Sequence, residues 1–324
     1  MYGRKTTKLL NMVRRFLGKG PSPASASTGP GRGHRAEAGK DQDLARKVYT
    51  PVQQAKRIDQ GVAGRAGYAY DAGRRLHREG RFKGALDAFK ESLELFRQVE
   101  GSEKDQGDCL HGIGAVRGDL GDYEEALAAG DEALELFGQV EGTQNEQAYC
   151  RYNMAISLRK MGSYEEALGR YDEALTVYGQ IEGVQYGQIV SLENSGVALE
   201  ELGRLEEAVD LYHRAADLCR QVDGAELSLV ECLVRAGNAL EELGRYEEAL
   251  EAHREALRTC QQVGSLVDYE ADCLYNVANM LKELGRGDQA LPLFRQALEA
   301  YARLEDSEEE QADCLEAIGA IEAR

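Results

Sequence analysis

Apolar side chains recur along this chain at helical spacing, and the whole pattern returns every 41 residues. Between Ser163 and Gly183, the residues Ala167, Tyr171, Ala174, Tyr178 and Ile181 stand 4, 3, 4 and 3 apart, one stripe on an amphipathic helix. Polar residues, many of them glutamate, fill the other positions. The octet LGDYEEAL returns as MGSYEEAL, LGRLEEAV and LGRYEEAL, with its glycine at 121, 162, 203 and 244. Looser copies place the glycine at Gly80 and Gly285 on the same period. Five steps in register without an insertion mark an internal repeat, and a repeat decides the fold before any local reading does.

Each unit predicts two helices. In the unit from Gln144 to Val184 the first helix runs from about Gln144 to Met161. Gly162 ends it, since glycine reaches the left-handed conformation that a helix C′ position favours. Ser163 stands where an N-cap belongs, and Glu165 and Glu166 lie near the positive end of the second helix. Gly183 closes the unit, as Gly101, Gly142 and Gly224 close others. Small residues hold fixed columns: Ala85, Ala126, Ala167, Ala208, Ala249 and Ala290 in one; Gly73, Gly114, Ala155, Gly196, Gly237 and Ala278 in another. Such columns predict close helix approach, where a larger side chain would overpack the contact. Neither helix can bury its stripe alone, so neighbouring units must stack.

The small column, the Gly-x-Tyr turn and two alanine columns, the one from Ala85 and a second at Ser92, Ala133, Ala174, Ala215, Ala256 and Ala297, resemble the tetratricopeptide repeat over roughly residues 66–324, six units and a lone first helix. The period of 41 exceeds the usual 34, and the proline that commonly ends a unit is missing. Both departures resemble the long-repeat branch of kinesin light chains and LGN-type polarity adaptors. The resemblance implies an all-α, right-handed superhelical solenoid whose first helices face a concave groove. It also implies a protein-binding scaffold or adaptor without catalysis, metal or cofactor. Two alternatives stay open: a self-assembling structural module, and a non-catalytic regulatory subunit of a larger enzyme complex.

Groove candidates follow from columns on the first helices. Two residues before the small column stand Asp71, Gly112, Asn153, Asn194, Arg235, Asn276 and Ala317. Asparagine is a modest helix former, and its amide can both donate to and accept from an extended backbone. A ladder of asparagines here resembles the kinesin light chain and LGN pattern. Asn238 and Asn279 fall one residue after the small column. Tyr149, Tyr152 and Tyr275 offer rigid contact area with a polar tip. The competing reading is that these amides bond helix to helix. Glu193, Glu200, Glu231, Glu241 and Asp272 gather toward the later units, which points to a protein or peptide partner with basic residues. The Lys and Arg of a carboxylate clamp are not assembled, so an acidic chaperone tail is disfavoured.

Composition trims the remaining options. Net charge is −18, and residues 1–40 hold nine Lys/Arg against Glu37 alone, leaving −26 on the rest. An acidic body argues against nucleic acid. Residues 1–19 form a basic amphipathic segment, with Leu9, Leu10, Val13, Phe16 and Leu17 on one face. It suits a mitochondrial or plastid transit peptide, membrane-surface contact through residues 4–19, or a partner-touching arm. Residues 20–65 read as a disordered or partly helical linker, with any short helix broken near Pro51. Seven cysteines with no C-x-x-C spacing argue against a disulfide framework or zinc site and fit reduced thiols in the cytoplasm. Cys109, Cys150, Cys232, Cys273 and Cys314 share one column, and Cys219 and Cys260 another, as small packing residues do. GIGAVRG at Gly112–Gly118 falls inside a first helix with no strand before it, which removes the phosphate-loop reading.

Overall fold

The structure is a computed structural model that describes residues 51–323, with side chains from 61 onward. The basic segment 1–19 and most of the expected linker therefore lie outside the described residues. Helix α1 spans Pro51–Arg78 and begins where a break was expected. Proline suits the first helical position, because its missing N–H would be unpaired there anyway. The array boundary placed at 66 consequently falls inside this helix.

Twelve more helices follow: α2 Phe82–Phe96, α3 Glu103–Leu120, α4 Tyr123–Phe137, α5 Gln144–Lys160, α6 Tyr164–Tyr178, α7 Gln185–Glu201, α8 Leu205–Cys219, α9 Glu226–Glu242, α10 Tyr246–Val263, α11 Val267–Glu283, α12 Gly287–Tyr301 and α13 Glu308–Glu322. The described residues contain helices and turns but no strand. Odd-numbered helices are the first of each pair and even-numbered helices the second, an all-α repeat solenoid. Consecutive helices pack along the chain, and first helices also touch across repeats: α3 with α5, α5 with α7, α7 with α9, and α9 with α11. No two second helices pack to that extent among the described residues. The stack is therefore tighter on the side of the first helices.

The turn glycine does what its position demands. Gly162 has φ of +84°. Its N–H bonds to Arg159 O at 3.0 Å, and the Ser163 N–H reaches Leu158 O at 2.9 Å. This Schellman pair satisfies the last carbonyls of α5, and the same two bonds recur around Gly80, Gly121, Gly203, Gly244 and Gly285. The Ser163 side chain makes no capping hydrogen bond, contrary to expectation. Hydroxyls work elsewhere: Ser102, Thr143 and Ser307 at the starts of first helices bond back to carbonyls at the end of the preceding second helix. Thr143 Oγ1, for example, donates to Phe137 O at 2.6 Å.

The small columns have the packing role their size suggests. A Cβ on Gly196 would stand 2.5 Å from the Tyr212 ring, and one on Gly237 would stand 2.4 Å from the His253 ring. Phe89, Tyr171, Tyr212, His253 and Phe294 fill this site in five of the repeats and are buried, and Gly130 takes the remaining slot with the Met154 side chain against it. Removing such a ring from a core costs about 3–5 kcal/mol. All seven cysteines are free and buried. Their two columns meet, which spacing alone did not disclose. A hydrogen bond between Cys219 and Cys232 lowers the first thiol's pKa and raises the second's, and Cys260 and Cys273 repeat the arrangement.

Candidate functional site

The candidate site is the face presented by the first helices from α3 to α11. A repeat of 41 residues sets each first helix beside the next. Side chains 42 apart meet across the gap, because one extra residue turns the later side chain back toward its neighbour. His77 Nε2 lies 2.7 Å from Asp119 Oδ2 between α1 and α3. Asn153 Nδ2 lies 2.6 Å from His111 Nε2 between α3 and α5. Burial, helped by His77, holds the His111 pKa down to about 4, so the neutral ring accepts from the amide. Asn194 Nδ2 donates to the Tyr152 hydroxyl at 3.3 Å and to Val190 O at 2.8 Å. Arg235 Nε donates to Glu193 Oε1 at 3.2 Å, the same rung built from charges.

The next rung fails. Its two positions are Val234 and Asn276, and valine has no polar side-chain atom. Asn276 Nδ2 is buried without a hydrogen-bond partner. Asn279, three residues on, donates to Glu241 Oε1 at 3.3 Å and accepts from Lys282 at 3.0 Å. Asn238 is half-buried and makes no side-chain hydrogen bond among the described residues. The asparagines thus stand on the first helices, α5, α7, α9 and α11. However, Asn153, Asn194 and Asn279 direct amide donors between helices rather than outward, because the neighbouring first helix is close enough to take them.

Aromatic side chains cover the earlier part. Tyr149 is 48% exposed and Tyr186 51% exposed. The Tyr149 ring stacks on Tyr152 with centroids 6.1 Å apart and meets His111 edge-on at 4.8 Å. Tyr152 is itself half-buried against Tyr171. Tyr275, in the later part, packs edge-on against Phe294 at 5.6 Å and so serves the core as well as the face.

Carboxylates dominate the later part. Around Arg235 lie Glu193, Glu200 and Glu231, on α7 and α9. Burial lifts the Glu200 pKa to about 7 against the pull of Arg235. Burial and then Glu193 lift Glu231 to about 7, while the Tyr269 hydroxyl donates to it at 2.8 Å. Burial alone would lower the Arg235 pKa, but Tyr212, Glu193, Glu200 and Glu231 together raise it, so the guanidinium stays charged. Tyr212 and Tyr269 are functional candidates missed in the sequence. Tyr212 reads there as core packing, and Tyr269 lies outside the asparagine columns. No group of three or more His, Cys, Asp or Glu residues among the described residues is arranged to hold a metal ion. No helix among them is long and apolar enough to cross a membrane.

Family models described as tetratricopeptide repeat match residues 65–139, 105–180, 187–262 and 271–308. No curated protein matches the sequence significantly. Several solved structures share the fold. A Rap protein complexed with Competence and Sporulation Factor is 18% identical, with 80% of this chain and 75% of that one covered at a TM-score of 0.53. Aspartyl phosphate phosphatase F from Bacillus subtilis is 12% identical over 84% of this chain and 73% of that one, at 0.59. A putative kinesin light chain with nearly identical TPR-like repeats, from Podosopora anserina, is 14% identical over 63% of this chain and 98% of that one, at 0.53.

Proposed function

Because this chain belongs to the tetratricopeptide repeat family, a fold that generally serves as a non-catalytic interaction scaffold, we propose that it binds a segment of a partner protein along the first-helix face between α3 and α11. The observation that carries this reading is the surface on that side. Two half-exposed tyrosines, Tyr149 and Tyr186, run into the carboxylates Glu193 and Glu231. Tyrosine supplies contact area at low entropic cost, and exposed aromatics are enriched where proteins bind. The carboxylates favour a partner with basic residues toward the later repeats. The asparagines act mainly as spacers that fix the register of the first helices. Arg235, Asn238 and Asn276 are the groove contacts from the asparagine columns that this reading keeps, with Tyr149 and Tyr152 as anchors at the earlier end. The Rap structure with its bound factor supports the expectation that this fold holds such a ligand.

Selection of a random dodecapeptide library on the full chain tests the reading. Selected peptides should lose affinity about tenfold or more for the Tyr149→Ser/Tyr186→Ser double variant, the scale of a lost hot spot. Binding that survives this change but fails after substitutions on exposed second-helix positions, such as Arg214→Glu, would place the interface elsewhere.

A further inference from the structure

We propose that Cys219 with Cys232, and Cys260 with Cys273, are two oxidation sites, each closing into a disulfide when a hydroperoxide reaches it. The inference stands apart from the binding reading and makes the later repeats sensitive to redox conditions.

Placement comes first. Each pair joins the C-terminal end of a second helix to the first helix that follows, α8 to α9 and α10 to α11. The Cys232 S–H donates a hydrogen bond to Cys219, and the Cys273 S–H donates one to Cys260. The partners stand 13 residues apart in both repeats, and none of the four side chains is more than 3% exposed. Two sulfurs already in hydrogen-bond contact need only close to about 2 Å to become bonded.

Packing does not call for this pattern. The column that holds Cys219 and Cys260 carries Phe96, Phe137, Tyr178 and Tyr301 in the other repeats, all buried. Cys109 and Cys150 share a core with Phe96 and Phe137, and Cys314 shares one with Tyr301. A cysteine on a first helix therefore tolerates an aromatic neighbour, yet in two adjacent repeats the ring gives way to a second thiol. Two thiols supply half the ligands of a tetrahedral zinc site. No third metal-binding side chain is arranged beside either pair among the described residues.

Reactivity falls on one thiol of each pair. The hydrogen bond from its partner holds the Cys219 and Cys260 thiols below their usual pKa, so these sulfurs become the thiolates. They also lie closest to solvent along the chain. Cys219 ends α8 just before the exposed Arg220 and Gln221, and Cys260 precedes the exposed Gln261 and Gln262. With hydrogen peroxide, the Cys219 thiolate attacks one oxygen. An S–O bond forms, the O–O bond breaks, and the departing hydroxide takes up the proton that the thiol gave. The Cys232 sulfur then attacks Cys219 Sγ; the S–S bond forms, the S–O bond breaks, and water leaves with the Cys232 proton. Two thiols lose two electrons and hydrogen peroxide becomes two waters. Cys260 and Cys273 react in the same way.

The test uses the full chain, reduced, desalted and exposed to hydrogen peroxide. Aliquots are denatured and alkylated over time, then digested without reduction for mass spectrometry. Both disulfides should form, each with a loss of about 2 Da, two hydrogens. They should form at least about tenfold faster than Cys109, Cys150 or Cys314 becomes resistant to alkylation. The oxidised chain should show a raised urea midpoint that dithiothreitol reverses. Cys219→Ala/Cys260→Ala should abolish the mass loss and the shift while Cys232 and Cys273 stay open to alkylation. Should that variant fail to fold, the wild-type time course decides by itself. Oxidation of all seven cysteines at one rate, disulfides in other pairings or between chains, or no disulfide at all overturns the proposal.

Discussion

At the rung 42 residues apart, α3/α5 and α5/α7 meet through neutral hydrogen bonds and α7/α9 through a charge pair, whereas α9/α11 leaves the rung open and is joined instead by Tyr269 and Asn279 reaching Glu231 and Glu241. Backbone and register are the same in each. The 42-residue offset brings together His111 with Asn153, Tyr152 with Asn194, Glu193 with Arg235, and Val234 with Asn276. Side-chain chemistry on one scaffold therefore decides whether this rung is neutral, charged or unsatisfied. The neutral half leaves aromatic surface exposed. The charged half leaves carboxylates with too little countercharge. A repeat solenoid can hold such differences side by side because each unit answers only to its neighbours.

The largest break in this comparison should come from Arg235→Met. It leaves three partly buried carboxylates without their cation, and removing one partner of a buried pair costs about 3–5 kcal/mol, the most this change should cost. Urea denaturation should show the loss, and Arg235→Met combined with Glu193→Gln should recover part of it. An unchanged midpoint for the single variant would mean the cluster is not coupled as described. Next in size is a contrast between asparagines. Asn153→Leu leaves the His111 nitrogen without its donor and should cost about 1–3 kcal/mol, whereas Asn276→Leu removes an amide already unpaired and should be neutral or stabilising. Equal losses at both positions would erase the distinction between a closed and a failed rung. Val234→Thr supplies the missing acceptor at nearly the same volume. The net gain of a buried hydrogen bond, about 0.5–1.5 kcal/mol, is the most it should add, seen as a raised urea midpoint.

The smallest effect is a slope. Glu200 and Glu231 have folded pKa values of about 7, above the roughly 4.3 of an unfolded glutamate, so their contribution to stability is full at low pH and is lost as pH rises through 7. His111, at about 4 against roughly 6.5 unfolded, contributes above pH 6.5 and loses that contribution as pH falls toward 4. The two halves pull in opposite directions across the same window. Glu200→Gln/Glu231→Gln should make stability rise more steeply with pH from about 4.5 to 7, and His111→Gln should flatten it on the acid side. Urea midpoints at several pH values decide both.

Much of this architecture was legible from residues alone, and the reasons are local. Glycine at 121, 162, 203 and 244 needs no tertiary information, because a left-handed turn after a helix is a property of three or four residues. The column of Gly and Ala that holds Gly196 and Gly237 likewise announced close packing, though not the Tyr212 and His253 rings that fill it. That the asparagines stand on first helices was legible for the same reason. What their amides bond to was not, since that depends on how far one helix stands from the next. One signal was there to be read: the column one residue before the asparagine column is polar at His111, Tyr152 and Glu193 and turns apolar at Val234. The place of the Tyr212 hydroxyl among Glu200, Arg235 and Glu193 stayed hidden because burial and orientation, not spacing, bring it there.

Hydrogen–deuterium exchange on the chain with and without a library-selected peptide tests the central claim most directly. Binding along the first-helix face predicts added protection in α5, α7, α9 and α11, strongest around Tyr186 to Arg235, with α6, α8 and α10 little changed. Protection concentrated in the second helices, with the first helices exchanging as before, would contradict it.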